Sequence, residues 1–163
     1  MGLLNTTPRT WVAAETVTAA EMNTEIRDAV TAMQAAWTAY TPTTTGLTLT
    51  SGALAGGWNR VGHTVDFFCS FTLGASSAVT ASPTFTLPTA ALFTGWYASE
   101  STAFDTSASN YWPIGPVADT TARVICRVWP TTAGINFSAI SSTVPFTWAT
   151  GDVILVLGRY PAA

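Results

Sequence analysis

His63 is the only histidine in the chain, so a histidine-assisted serine or cysteine nucleophile would have to be built on it. It stands beside Gly62 between two alternating apolar runs, which is the setting of a turn residue. No G-x-S-x-G elbow occurs elsewhere to supply a nucleophile. In the C-terminal three-quarters of the chain the carboxylates are Asp66, Glu100, Asp105, Asp119 and Asp152. Glycoside hydrolysis needs two of them held about 5–9.5 Å apart. Glu100 and Asp105 share one polar stretch, where solvation in a loop is the usual state of such residues. Cys69 and Cys126 lack metal-ligand spacing, and there is no EF-hand loop, G-x-G-x-x-G or P-loop. These residues predict no catalytic, cofactor-binding or metal site.

Aromatic residues offer a different chemistry, because their faces can stack on sugar rings. Trp58, Trp96, Tyr97, Tyr111, Trp112, Trp129 and Trp148 all fall after residue 41. Most are expected in the core or at a subunit interface, where aromatics contribute much of the buried area. Tyr111 and Trp112, in Tyr111-Trp112-Pro113 beside the long polar stretch Glu100–Asn110, form the candidate ligand surface.

The chain that must position these residues has 163 residues, enough for one domain with an appendage. Only 9% are charged, none is lysine, and six arginines are scattered, against roughly 25% charged residues in an ordinary soluble domain. So neutral a surface is expected to lie against neighbouring molecules; a genome that avoids lysine codons is the other reading, and both can hold. A net charge of −3 without a basic stripe argues against nucleic-acid binding. No apolar run approaches the roughly 20 residues of a membrane span. Residues 1–10 lack the charged head and apolar stretch of a signal peptide, so the chain is expected to be made and to remain in a cytoplasm until release.

Three stretches separate: an arm at 1–17, a helix at 18–40 and a β region at 41–163. Thr18-Ala19-Ala20-Glu21 reads as a capping box, flanked by Val17 and Met22 at the two hydrophobic-staple positions. Thr41-Pro42 ends the run, since proline disfavours a helical residue before it. Met22, Ile26, Ala29, Met33, Ala36 and Tyr40 repeat at spacings of 4 and 3, a heptad seam widened by Val30 and Trp37. That seam predicts a short parallel trimeric coiled coil, hence a homotrimer; the alternative is an amphipathic helix packed on its own β domain. In the arm, Trp11 and Val12 stand among turn-forming residues. They are expected to attach the chain to a larger particle, the alternative being that Trp11 packs back on its own helix.

After Pro42, strands are predicted at Gly46–Thr50, Ala53–Val61, Thr64–Leu73, Thr84–Leu87, Thr94–Ser99, Tyr111–Val117, Ala122–Trp129, Gly134–Ile140 and Asp152–Tyr160. Gly62-His63 and Thr131–Gly134 read as hairpin turns. The fold class is mainly β, an antiparallel sandwich or jelly-roll-like domain. Strand parity puts Cys69 with Val65, Phe67 and Phe71, and Cys126 with Val124 and Val128, so both are expected as buried free thiols. Val153-Ile154-Leu155-Val156-Leu157 is apolar on both parities, which requires a central position between layers or cover from another subunit.

The run from Thr7 to Asp28, with Trp11, Glu15, Val17-Thr18-Ala19-Ala20, Asn23 and Ile26-Arg27-Asp28, resembles the start of small virion proteins of tailed bacteriophages, especially those infecting actinobacteria. It departs from their pattern at Ala14, where glycine is common, and at Ala29, where asparagine is common. Val61–Phe68, Ser82–Pro88 and Pro145–Asp152 resemble the β modules attached to such starts, more loosely. The resemblance implies a non-enzymatic virion structural protein, either capsid-decorating or a minor tail or tail-fibre protein. The chain length favours a compact trimer on the capsid. The alternative is a tail module that binds a host-surface carbohydrate.

Overall fold

A computed structural model describes residues 10–33, 36–96, 101–129 and 137–163. Residues 1–9 of the arm, Tyr97, Glu100, the Thr131–Gly134 turn and the side chains of Ala29 and Met33 lie outside this description. The described chain is mainly β. A helical segment comprises α1 (Ala19–Met22), a π-helical turn (Asn23–Arg27) and α2 (Asp28–Met33). Ten strands follow: β1 (Thr38–Tyr40), β2 (Thr44–Thr48), β3 (Ala53–Val61), β4 (Thr64–Thr72), β5 (Ala78–Thr86), β6 (Ser101–Asp105), β7 (Asn110–Thr120), β8 (Arg123–Val128), β9 (Ser138–Ala139) and β10 (Val153–Pro161).

All pairings are antiparallel, and the strands form one continuous sheet in the order β1-β3-β4-β10-β6-β7-β8-β5-β2, with β9 added to β8. A flat single sheet would leave both faces wet. Here one face is dry: Val65, Phe67, Cys69 and Phe71 of β4, Ile154 and Val156 of β10, Ile114 of β7, Val124 and Cys126 of β8 and Phe85 of β5 are at most 1% exposed. The sheet achieves this by curling over its own core. Its two edge strands, β1 and β2, are joined by residues 41–43 alone, and such a link spans no more than about 14 Å. The short link brings the far edges together and, with buried Pro42, closes the curl.

Three expectations are corrected. The helix does not run to Tyr40, because residues 38–40 form β1 and pair with Trp58, Gly57 and Gly56. A Cβ on Gly56 would stand 2.8 Å from the Tyr40 ring, so the bare glycine backbone is what admits the tyrosine against β3. Ala36 and Tyr40 therefore leave the helical seam. Secondly, Ser101–Asp105, read as loop, is a strand held between β10 and β7, with Ala103 fully buried. Thirdly, the described part of the strand expected at Thr94–Ser99 is a bend, held by the Gly95 amide on the Ala118 carbonyl at 2.9 Å. Elsewhere β3 has the expected bounds, and the Gly62-His63 hairpin closes the Val61–Thr64 pair with Gly62 at φ 60. β10 lies inside the sheet, between β4 and β6, but not between two layers. Ile154 and Val156 fill the core, while Val153, Leu155 and Leu157 on the outer face are only half-buried.

Candidate functional site

The helical segment begins where the capping box places it. Thr18 Oγ1 accepts from the Glu21 amide at 3.3 Å, and the Glu21 carboxylate accepts from the Thr18 amide at 2.8 Å. Before it, Val12 to Glu15 make a tight turn: the Glu15 amide donates to the Val12 carbonyl at 3.1 Å and the Val12 amide to the Glu15 carboxylate at 3.1 Å. Ala14 is the third residue of that turn and has φ 65, a left-handed conformation that a type II turn requires there and that favours glycine. This is the position at which the resembled phage pattern carries glycine.

Along the helix the Asp28 amide donates to the Asn23 carbonyl, the i→i+5 bond of a π turn. The extra residue in that turn brings positions four apart closer to vertical, so Met22, Ile26 and Val30 line up. They are 44%, 50% and 40% exposed, and residues 19–27 contain no buried side chain. Of the predicted seam, Met22 and Ile26 therefore share a face that this chain's own sheet does not cover. Ala36 is exposed beyond the helix, and Tyr40 is in the sheet. Trp11 and Val12 are both exposed in the arm.

A second feature was not legible as a site. Strand register sets Asn59 of β3 opposite Asp66 of β4, and Asp66 opposite Arg159 of β10. The three form a polar row across adjacent strands on the sheet's outer face, with the Arg159 guanidinium donating to Asp66 at 2.6 Å. One step along the same face, Phe68 meets Trp37 with ring centroids 5.7 Å apart. Trp37 is 52% exposed, and between it and the row lies a groove of about 610 Å³ that Leu157 also lines. Outward parity of Asp66 within Val65-Asp66-Phe67 was a usable signal. Its pairing with a residue 93 positions away was not.

Tyr111 and Trp112 do not form a shared platform. As neighbours on β7 they point to opposite faces. Tyr111 lies outside, 70% exposed and stacked on Phe104 at 4.4 Å, whereas Trp112 packs against the core. Asp105 caps its own turn, accepting from Ser107 Oγ at 2.7 Å and the Ser107 and Ala108 amides at 3.0 and 3.1 Å. The Ser107 hydroxyl, with the Ala108 amide next, holds its carboxyl below the usual carboxylate range, the opposite of what a general acid needs. Exposed His63 serves the fold through its carbonyl, which accepts from the Ala162 amide at 2.7 Å. Both cysteines are buried free thiols. Burial pushes the Cys69 thiol up to about 12 despite an opposing hydrogen bond from Tyr40, and burial raises Cys126 likewise.

Among the described residues no three of His, Cys, Asp and Glu come together as a metal site, and no helix is long and apolar enough to cross a membrane. Comparison with protein-family models, curated proteins and solved structures finds no match to this chain.

Proposed function

We propose that this chain is a non-enzymatic structural subunit of a bacteriophage particle, a homotrimer that decorates the capsid surface and is joined through its helices. The observation that carries the reading is the uncovered row Met22, Ile26 and Val30 on a helix that buries nothing within its first nine residues. Such a row costs solvation in a monomer and is the seam a short coiled coil covers. A helical segment as short as Ala19–Met33 is marginal alone, so the apolar outer face of β10 shares the association. Ala14 supports the phage relationship: the arm turn takes the glycine-favouring conformation where the phage pattern has glycine. The arm, with Trp11 and Val12 exposed, is the attachment device, aromatic residues being the usual anchors of such contacts. Three arms per trimer raise one another's local concentration, which compensates for the entropy of ordering each.

Two measurements test this. Light scattering should give three times the 17.1 kDa chain mass, and a monomer at micromolar concentration rejects the trimer. A form lacking residues 2–14 keeps the capping box and the sheet. It should still trimerise but no longer bind phage particles stripped of the wild-type protein; binding by the truncated form rejects the arm as anchor.

A further inference from the structure

The groove beside Trp37 combines two surfaces rarely placed together without a ligand in view. One wall is an indole half open to solvent and fixed by Phe68. The floor is the Asn59–Asp66–Arg159 row, set in register on three adjacent strands. A pyranose ring has the matching duality, with C–H faces that lie on an aromatic ring and equatorial hydroxyls that both donate and accept. The row keeps capacity of both kinds. Asp66 Oδ1 takes the Arg159 Nε–H at 2.6 Å, and Asn59 Oδ1 takes the Arg60 amide at 2.7 Å. Asp66 Oδ2, the Arg159 terminal nitrogens and the Asn59 amide nitrogen make no hydrogen bond among the described residues, so an acceptor stands beside two sets of donors. The volume of about 610 Å³ lies in the range of small-molecule sites.

Charge decides the class of ligand. Asp66 and Arg159 neutralise each other at contact distance, so the row presents directed hydrogen bonds with little net field. An anionic sugar or a phosphate would meet the Asp66 carboxylate as well as the guanidinium. The ion pair and the register also hold the polar groups in place before a ligand arrives, which lowers the ordering cost of binding. We propose that this groove binds a neutral saccharide, one pyranose ring lying on Trp37 with its hydroxyls on Asn59, Asp66 and Arg159. Neither the arm nor the Met22–Ile26–Val30 row contributes to the site, although Leu157 and Arg159 belong to the same outer face of β10 that shares the proposed association.

The full-length protein should be titrated with methyl glycosides of glucose, galactose and mannose, a neutral trisaccharide and glucuronate, following tryptophan fluorescence and the side-chain N–H signals of Trp37 and Arg159. At least one neutral saccharide should bind saturably and shift both signals, with glucuronate no tighter. Trp37→Ala and Asp66→Asn should each weaken binding about tenfold or more, as loss of a central contact does, while Tyr111→Ala on the distant patch changes nothing. Asp66→Asn keeps the side chain's shape and so remains informative should Trp37→Ala perturb the fold by circular dichroism. No saturable response up to the solubility limit overturns the proposal, as does binding unchanged in both groove variants or lost in Tyr111→Ala.

Discussion

The Tyr40 hydroxyl and the Cys69 sulfur lie 2.8 Å apart, tying the edge strand β1 to the centre of the core. Burial, then proximity to Cys69, drives the Tyr40 phenol far above its ordinary value of 10.0, and burial drives Cys69 from 9.0 to about 12. Both groups are therefore neutral in the folded chain at pH values where an unfolded chain ionises them. With folded values raised, the native state holds more protons above pH 9, so stability is complete below that pH and falls as pH rises from 9 toward 12. The slope approaches about 1.4 kcal/mol per pH unit for each group involved. Melting temperature measured from pH 7 to 11 should drop steeply in its upper half, and Cys69→Ala should flatten that drop. An unchanged slope in the variant refutes the assignment. Native thiol titration should meanwhile detect little, rising to two thiols per chain in denaturant.

Ile26→Asp combined with Val30→Asp separates association from folding. Both side chains are exposed within one chain, so the pair should alter the sheet's own stability by no more than about 0.5 kcal/mol per site. In the proposed trimer the same carboxylates would be buried unpaired, at several kcal/mol each. Scattering should report monomers while circular dichroism of the sheet is retained. A trimer that persists would show that the helices do not form its seam.

Asp152 is fully buried and is the clamp between two loops. Its Oδ1 accepts from the Thr106 amide and hydroxyl, both at 2.9 Å, and its Oδ2 from the Ala149 amide at 2.6 Å. Asp152→Ala leaves two backbone amides without acceptors and should cost about 3–5 kcal/mol in denaturant unfolding. Asp152→Asn retains one acceptor oxygen and should cost less. Equal costs would argue that the site needs the intact carboxylate with both acceptor oxygens, since asparagine keeps the shape and one acceptor.

Ala14→Gly should relieve the φ 65 strain in the arm turn by about 1 kcal/mol. The amide of Glu15, which closes that turn, should exchange with solvent several-fold more slowly. The melting temperature of the sheet should not move, because the arm lies outside its core. Faster exchange at Glu15 would mean that the turn is not the stable form of the arm.

What the sequence made legible was local. The capping box at Thr18 and Glu21 and the Gly62-His63 hairpin depend on a few adjacent residues, and the parity of Val65, Phe67, Cys69 and Phe71 on one face follows from strand geometry alone. The misreadings involve partners distant in the chain. Trp37 to Tyr40 continues a helical spacing on paper, but Gly56 and Gly57 offer those residues a strand to pair with and room for the tyrosine ring. Ser101–Asp105 is polar enough to pass for loop until β10 and β7 flank it. The candidate groove was the least legible, because it exists only once β3, β4 and β10 align Asn59, Asp66 and Arg159.

The short passage at residues 38–43 also sets how the molecule would carry load. Tension applied through the helices enters the body at β1, which is held by only three residue pairs to β3 and by the Tyr40–Cys69 contact. β1 is an edge strand, so it can peel away from β3 without breaking the nine-residue ladders between β3, β4 and β10. Pulling on the helices would thus strain a replaceable seam first. The tether would give by a few residues of slack while the body stayed folded.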